Sequence, residues 1–120
     1  MAYIVVVDDD PTIRRLATAL LRSAGHEVAE LPSGEGLESL LAARRPDLVL
    51  LDIQIPDRDG FALLEDVRNT QGDRPVKVVA LSAASSPDER DRIVTAGFDG
   101  FLAKPIEVRG FAPAVGRYLG

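Results

Sequence analysis

Five short apolar runs punctuate the chain: Ile4–Val7, Val28–Leu31, Leu48–Leu51, Val76–Leu81 and Gly100–Ala103. The first, third and fourth are near-continuous Val, Ile and Leu, the pattern of strands buried on both faces. The second and fifth are shorter and more mixed, as edge strands are. Helical spacing fills the gaps. Ile13, Leu16, Ala17, Leu20, Leu21 and Ala24 recur at i, i+3, i+4 and i+7. Asp10-Pro11 reads as an N-cap with proline at the first helical position, and Gly25 as the stop. A second helix is predicted from near Ser33, with Leu37, Leu40 and Leu41 facing inward, ending before Pro46. A third carries Leu63, Leu64 and Val67 and ends within Asn69–Gly72. A fourth opens at Ser86-Pro87-Asp88-Glu89 and closes at Gly97. Gly110 and Pro113 would damage a helix interior, so the fifth begins near Phe111 and turns Phe111, Ala114, Val115 and Tyr118 inward.

Strict alternation of strand and helix, with connections too long for hairpins, predicts a parallel sheet covered on both sides. Five strands and five helices in this length fit an α/β, flavodoxin-like, doubly wound sheet of order 2-1-3-4-5. In such sheets chemistry gathers at the carboxyl ends of the strands, at the switch point between strands 1 and 3.

Composition narrows the field. A length of 120 residues suits one domain over 1–120, able to fold without covalent staples. The absence of cysteine excludes a disulfide framework, a thiolate metal site and a cysteine nucleophile. A formal charge of −5 argues against binding a nucleic-acid backbone. No apolar run is long enough to span a membrane, and Met1-Ala2-Tyr3 lacks the charged start of a signal peptide, so a cytoplasmic location is expected.

The strand ends supply the chemistry. Strand 1 runs into Asp8-Asp9-Asp10 and strand 3 into Asp52; strand 4 ends at Ser82 and strand 5 at Lys104-Pro105. Asp10 is taken up as a helix cap. Asp8, Asp9 and Asp52 should converge, and carboxylates packed together repel unless a cation intervenes. A hard divalent ion such as Mg²⁺, with oxygen ligands and retained waters, resolves that conflict. A carboxylate beside such an ion and an ammonium is suited to attack phosphorus and form an acyl phosphate, with Lys104 and the metal neutralising the phosphoryl oxygens and Ser82 donating its hydroxyl.

Val-Asp-Asp-Asp-Pro at 7–11, Leu-Asp-Ile-Gln-Ile-Pro-Asp-Arg-Asp-Gly at 51–60, Ala-Leu-Ser-Ala at 80–83 and Phe-Leu-Ala-Lys-Pro at 101–105 together resemble the receiver domain of bacterial response regulators. The resemblance covers essentially the whole chain, in order and at family-like spacing. It implies that Asp52 is the phospho-acceptor and that Asp8, Asp9, Asp52 and the Gln54 backbone carbonyl bind Mg²⁺. It further implies that Ser82 is the hydroxyl following the phosphoryl group, Lys104 the cation contacting it, and Phe101 the switch aromatic. Pro105 stands where the family often has a cis Lys-Pro bond. Gln54 and Ala84 lie near the path of the attacking water and would tune phosphoryl lifetime. The implied partners are a histidine kinase or histidine phosphotransfer protein upstream. Downstream, a protein target would dock on the face of the fourth helix, fifth strand and fifth helix. Departures from the family pattern are Ile55 in place of methionine, Ser82 in place of the commoner threonine, a Phe101 without a phenolic hydroxyl, and a late last helix.

Two other readings compete. A phosphorylation-independent receiver-like interaction module would not require Asp8, Asp9, Asp52, Ser82 and Lys104 all to be intact. A phosphatase of the haloacid dehalogenase type needs a second acid two residues after its nucleophile, where this chain has Gln54. Asp59-Gly60 reads as a turn and cap. Gly34 and Gly36 do not form a phosphate loop, because the first strand-to-helix turn is acidic rather than glycine-rich. His26 reads as a partnerless surface residue. Arg14-Arg15, Arg44-Arg45 and Arg90/Arg92 read as solvated helix faces. The chain stops right after the last helix, as a stand-alone receiver or the amino-terminal piece of a longer regulator would.

Overall fold

Alternate residues along the central strands face opposite sides of one sheet, and helices bury both. The computed structural model describes residues 1–54, 60–70, 76–83 and 86–119. In chain order its elements are β1 (Tyr3–Val7), α1 (Pro11–Ser23), β2 (Glu27–Leu31), α2 (Leu37–Ala43), β3 (Leu48–Asp52), α3 (Gly60–Thr70), β4 (Lys77–Ser82), α4 (Pro87–Ala96), β5 (Gly100–Ala103) and α5 (Phe111–Gly116). The strands pair in parallel in the order β2-β1-β3-β4-β5, as the alternation predicts. Polar Glu27, Asp52 and Ser82 join the strands although they lie outside the apolar runs, because ladder pairing is made by the backbone.

On one face Val5, Val7, Val49, Leu51, Val78 and Ala80 pack against Leu37 and Leu41 of α2, Leu63, Leu64 and Val67 of α3 and Ile93 of α4. On the other, Ile4, Val6, Leu48, Leu50, Val79 and Leu81 meet Ala17 and Leu21 of α1 and Phe111 and Val115 of α5. This two-sided burial is why β1, β3 and β4 read as continuous apolar runs. Each fully buried Val or Leu contributes on the order of 1.5–3 kcal/mol relative to exposure. Among the described residues no helix is long and apolar enough to cross a membrane.

The helix ends follow the expected caps, with one exception. Asp10 accepts from the amides of Thr12 and Ile13, and Ser86 from that of Glu89. The second helix starts at Leu37 rather than near Ser33. Ser33 uses its hydroxyl to accept the Glu35 amide in a turn, and Gly36 sits at φ 86, a left-handed conformation that no helix interior can contain. On α1, Thr18 is buried beside Ala17, while Ala24 is exposed at the C-cap. The expectations placed on Ile55, Asp59, Gly72 and Ala84 fall outside the described residues.

At the amino edge of the sheet, residues that immediately precede a strand clasp the neighbouring strand. Asp47 accepts the Tyr3 amide at 2.8 Å and returns its own amide to the Tyr3 carbonyl at 2.8 Å. Asp99 does the same with Val78, at 2.7 and 2.8 Å. His26, expected to be a partnerless surface residue, is half-buried and accepts the Ala2 amide at Nδ1, while the Glu27 amide reaches the Ala2 carbonyl. Arg68 of α3 ties this edge together by donating to the Val76 and Gly97 carbonyls and pairing with Asp99. The arginines expected on solvated helix faces are also engaged. Arg44, Arg90 and Arg92 lie over the rings of Tyr3, Phe101 and Phe61, where a planar guanidinium stacks while staying in contact with water.

Candidate functional site at the carboxyl edge of the sheet

β1 and β3 are hydrogen-bonded neighbours, so the residues that follow them arrive side by side. Asp8, Asp9 and Asp52 each bring a carboxylate oxygen into one cluster, all within 4.8 Å of one another. Asp8 and Asp52 are buried and Asp9 is exposed. The two buried acids are held in the same way. Asp8 Oδ1 accepts the amide of Asp10 at 2.9 Å, and Asp52 Oδ1 accepts that of Gln54 at 2.9 Å, each two residues on. Their other oxygens turn to Lys104, whose Nζ lies 2.9 Å from Asp8 Oδ2 and 3.2 Å from Asp52 Oδ2.

Lys104 is delivered by β5. Its amide bonds to the Ser82 carbonyl at 2.9 Å, and the Lys104–Pro105 peptide bond is cis. Ser82 is buried at the end of β4. Phe101 is half-buried, packs against the cluster that contains α4, and carries the Arg90 guanidinium 5.2 Å from its ring centroid. Gln54 is exposed, with its amide spent on Asp52. Asp8, Asp9, Asp52, Gln54, Ser82 and Lys104 thus gather at one sheet edge, and Phe101 is set back from it on β5, opposite Ala80.

The electrostatics follow from that crowding. Burial pushes the Asp52 carboxyl above its ordinary value, and the Asp8 charge adds to the push, against the Gln54 amide and Lys104, which pull it down. Burial acts to lower the Lys104 ammonium, but its bond to Asp8 and the charges of Asp52 and Asp8 outweigh it and hold the group above the ordinary lysine value. Among the described residues, one ammonium thus bridges two of the three clustered carboxylates. The donor set is all hard oxygen, partly exposed through Asp9, with surplus negative charge. It fits a small divalent cation that keeps several waters.

Two residues that support this edge escaped the sequence reading. Gly60 opens α3 so close to β3 that a Cβ there would lie 2.4 Å from Ile53 Cα. Its place after Asp59 signalled only a turn. Arg14 of α1 donates from Nη1 to the Asp8 carbonyl at 2.9 Å. Helical spacing placed it on an outer face, and a main-chain acceptor leaves no mark in a sequence.

Comparison with known proteins agrees with this geometry. Residues 4–115 match the response regulator receiver domain. The chain is 31% identical over 119 residues to the polar-differentiation response regulator DivK of Brucella ovis, covering 98% of this chain and 95% of that protein. It is 34% identical over 115 residues to a gliding motility regulatory protein of Myxococcus xanthus, of which it spans only 15%. Among solved structures, the chemotaxis protein CheY4 of Vibrio cholerae superposes with a TM-score of 0.90 at 26% identity, over 99% of both chains.

Proposed function

The chain belongs to the response regulator receiver domain family, and from that premise we propose that it is a phospho-accepting switch of a two-component system, a signalling module with Asp52 as acceptor. The observation that carries this reading is the bridge of Lys104 between the buried carboxylates of Asp8 and Asp52, beside the reachable carboxylate of Asp9. An Asp52 oxygen attacks the phosphorus of a phosphohistidine. A P–O bond forms, the P–N bond breaks, and the electron pair stays on the departing imidazole. Lys104 meets the phosphoryl oxygens, as does the Ser82 hydroxyl at the end of the adjacent strand. Asp8, Asp9, Asp52 and the Gln54 carbonyl would hold Mg²⁺. When bound, the ion supplies charge neutralisation for the incoming phosphoryl group.

Conversion of the Asp52 carboxylate to an acyl phosphate takes its charge to about −2 and adds three acceptor oxygens, which draw Lys104 and Ser82 toward them. Phe101, on β5, then passes the change to the α4-β5-α5 face, where a downstream protein docks. The donor is a histidine kinase or histidine phosphotransfer protein, the location cytoplasmic, and the folding unit residues 1–120. Incubation with acetyl phosphate and Mg²⁺ should add one acid-stable, hydroxylamine-labile phosphoryl group, read by intact mass. Asp52→Asn should abolish it. An unmodified wild type, with phosphodonor and with kinases, would leave the phosphorylation-independent interaction module in possession. Turnover of small phosphate esters would favour a phosphatase.

A further inference from the structure

We infer that Arg14 is a positioning residue that sets the cation affinity of the acidic site through the backbone of Asp8. The inference rests on the reading of that site as a divalent-cation site. Every polar group of Asp8 is held by a different part of the fold. Its amide bonds to the Leu31 carbonyl at 3.1 Å, Oδ1 accepts the Asp10 amide, and Oδ2 meets Lys104. The main-chain carbonyl accepts from Arg14 Nη1 at 2.9 Å. The Arg14 side chain is only 16% exposed, and its Nε lies 3.6 Å from Glu30 Oε1 on edge strand β2.

The two cations at this edge act differently. Lys104 occupies carboxylate oxygens that a metal ion needs, so it competes with the ion. Arg14 occupies none of them. It grips the turn from behind, at a main-chain oxygen outside the carboxylate cluster. Three carboxylates within 4.8 Å repel one another and would splay the Asp8-Asp9 turn if its carbonyl were free. With Arg14 in place the turn is already ordered, so cation binding does not have to supply that ordering. The positive charge of Arg14 would by itself repel an incoming cation, but Glu30 pairs with it and largely cancels that field. Preorganisation is therefore the larger of its two effects.

The test is calorimetric titration of the full chain with Mg²⁺ alone, without phosphodonor. Arg14→Ala should weaken binding about tenfold, in the range found when a group that orients a metal ligand is removed. Arg14→Lys, with a single donor nitrogen and a shorter reach, should recover part of the loss. Glu30→Gln is exposed enough to fold in any case; it frees Arg14 and unmasks its charge, so it should weaken binding several-fold. Arg14→Ala or Glu30→Gln binding Mg²⁺ as tightly as wild type would overturn the inference, even if thermal stability fell, since that pattern belongs to a purely structural residue. Wild-type protein that binds no Mg²⁺ would overturn the phospho-acceptor reading and this inference together.

Discussion

The two edges of the sheet use acidic side chains in opposite ways. At the amino edge, Asp47 and Asp99 each close a reciprocal pair of backbone hydrogen bonds with the next strand, and Asp99 also takes Arg68. Each carboxylate there meets donors. At the carboxyl edge, Asp8, Asp9 and Asp52 face one another with Lys104 between two of them. The same residue type holds the fold at one end and strains it at the other. Strand order explains the contrast. Residues that precede a strand find the unpaired amide of a neighbour that starts earlier, whereas the acids that follow adjacent strands are brought up against one another.

The largest effect is expected from Gly60→Ala, because Gly60 lies at the strained edge yet serves packing. The new Cβ would meet Ile53 backbone at 2.4 Å, and backbone cannot swing aside as a side chain does. The expected loss is about 3 kcal/mol, read as a lower urea midpoint, with phosphoryl labelling reduced because Ile53 adjoins Asp52. A neutral outcome would mean that the β3–α3 junction yields freely and that the carboxyl edge is soft throughout.

The next effect in size belongs to the amino edge. Asp99→Ala leaves the part-buried Val78 amide without its acceptor and removes the Arg68 partner, at a cost of about 2 kcal/mol. Asp99→Asn keeps an acceptor oxygen and should lose less than half of that, with Asp52 labelling unchanged in both variants. A labelling defect in folded Asp99→Ala protein would show that the edges are coupled through β4 and β5.

The contrast also marks what could be read from the chain. The central strands were legible because burial on both faces removes alternation, and the caps at Asp10 and Ser86 because their side chains do the capping. The acids at 8, 9 and 52 could be placed together once strand order followed from the alternation of elements. The start of α2 was not legible, since the Ser33 turn and the left-handed Gly36 compete with an otherwise helical stretch. Asp47, Asp99, His26 and Arg14 were missed for one shared reason: each bonds to main-chain atoms of a residue far along the chain or around a turn, and main-chain partners have no residue type.

The smallest effect has the opposite sign, and it separates a strained carboxyl edge from a braced one. Asp52→Asn removes a charge that burial and Asp8 oppose, keeps an Oδ1 to accept the Gln54 amide, and leaves Lys104 paired with Asp8. It should raise stability by about 1 kcal/mol near neutral pH, as removal of functional-site strain commonly does. The gain should depend on pH in a defined direction. Asp52 is raised in the folded state above the ordinary value of 3.8. Between the two values the folded chain binds more protons than the unfolded one, so wild-type stability falls as pH rises through that window. Acidification therefore relieves the cost in wild type but not in Asp52→Asn, and the difference between them should shrink toward zero as pH approaches 3.8. Lys104 does not blur the comparison, because its own contribution is fully present below 10.5 and is lost only as pH rises through its raised folded value. Paired denaturation curves at several pH values decide the matter. A variant less stable than wild type at neutral pH would show that Lys104 more than offsets the burial of Asp52, and that the carboxyl edge is braced rather than strained.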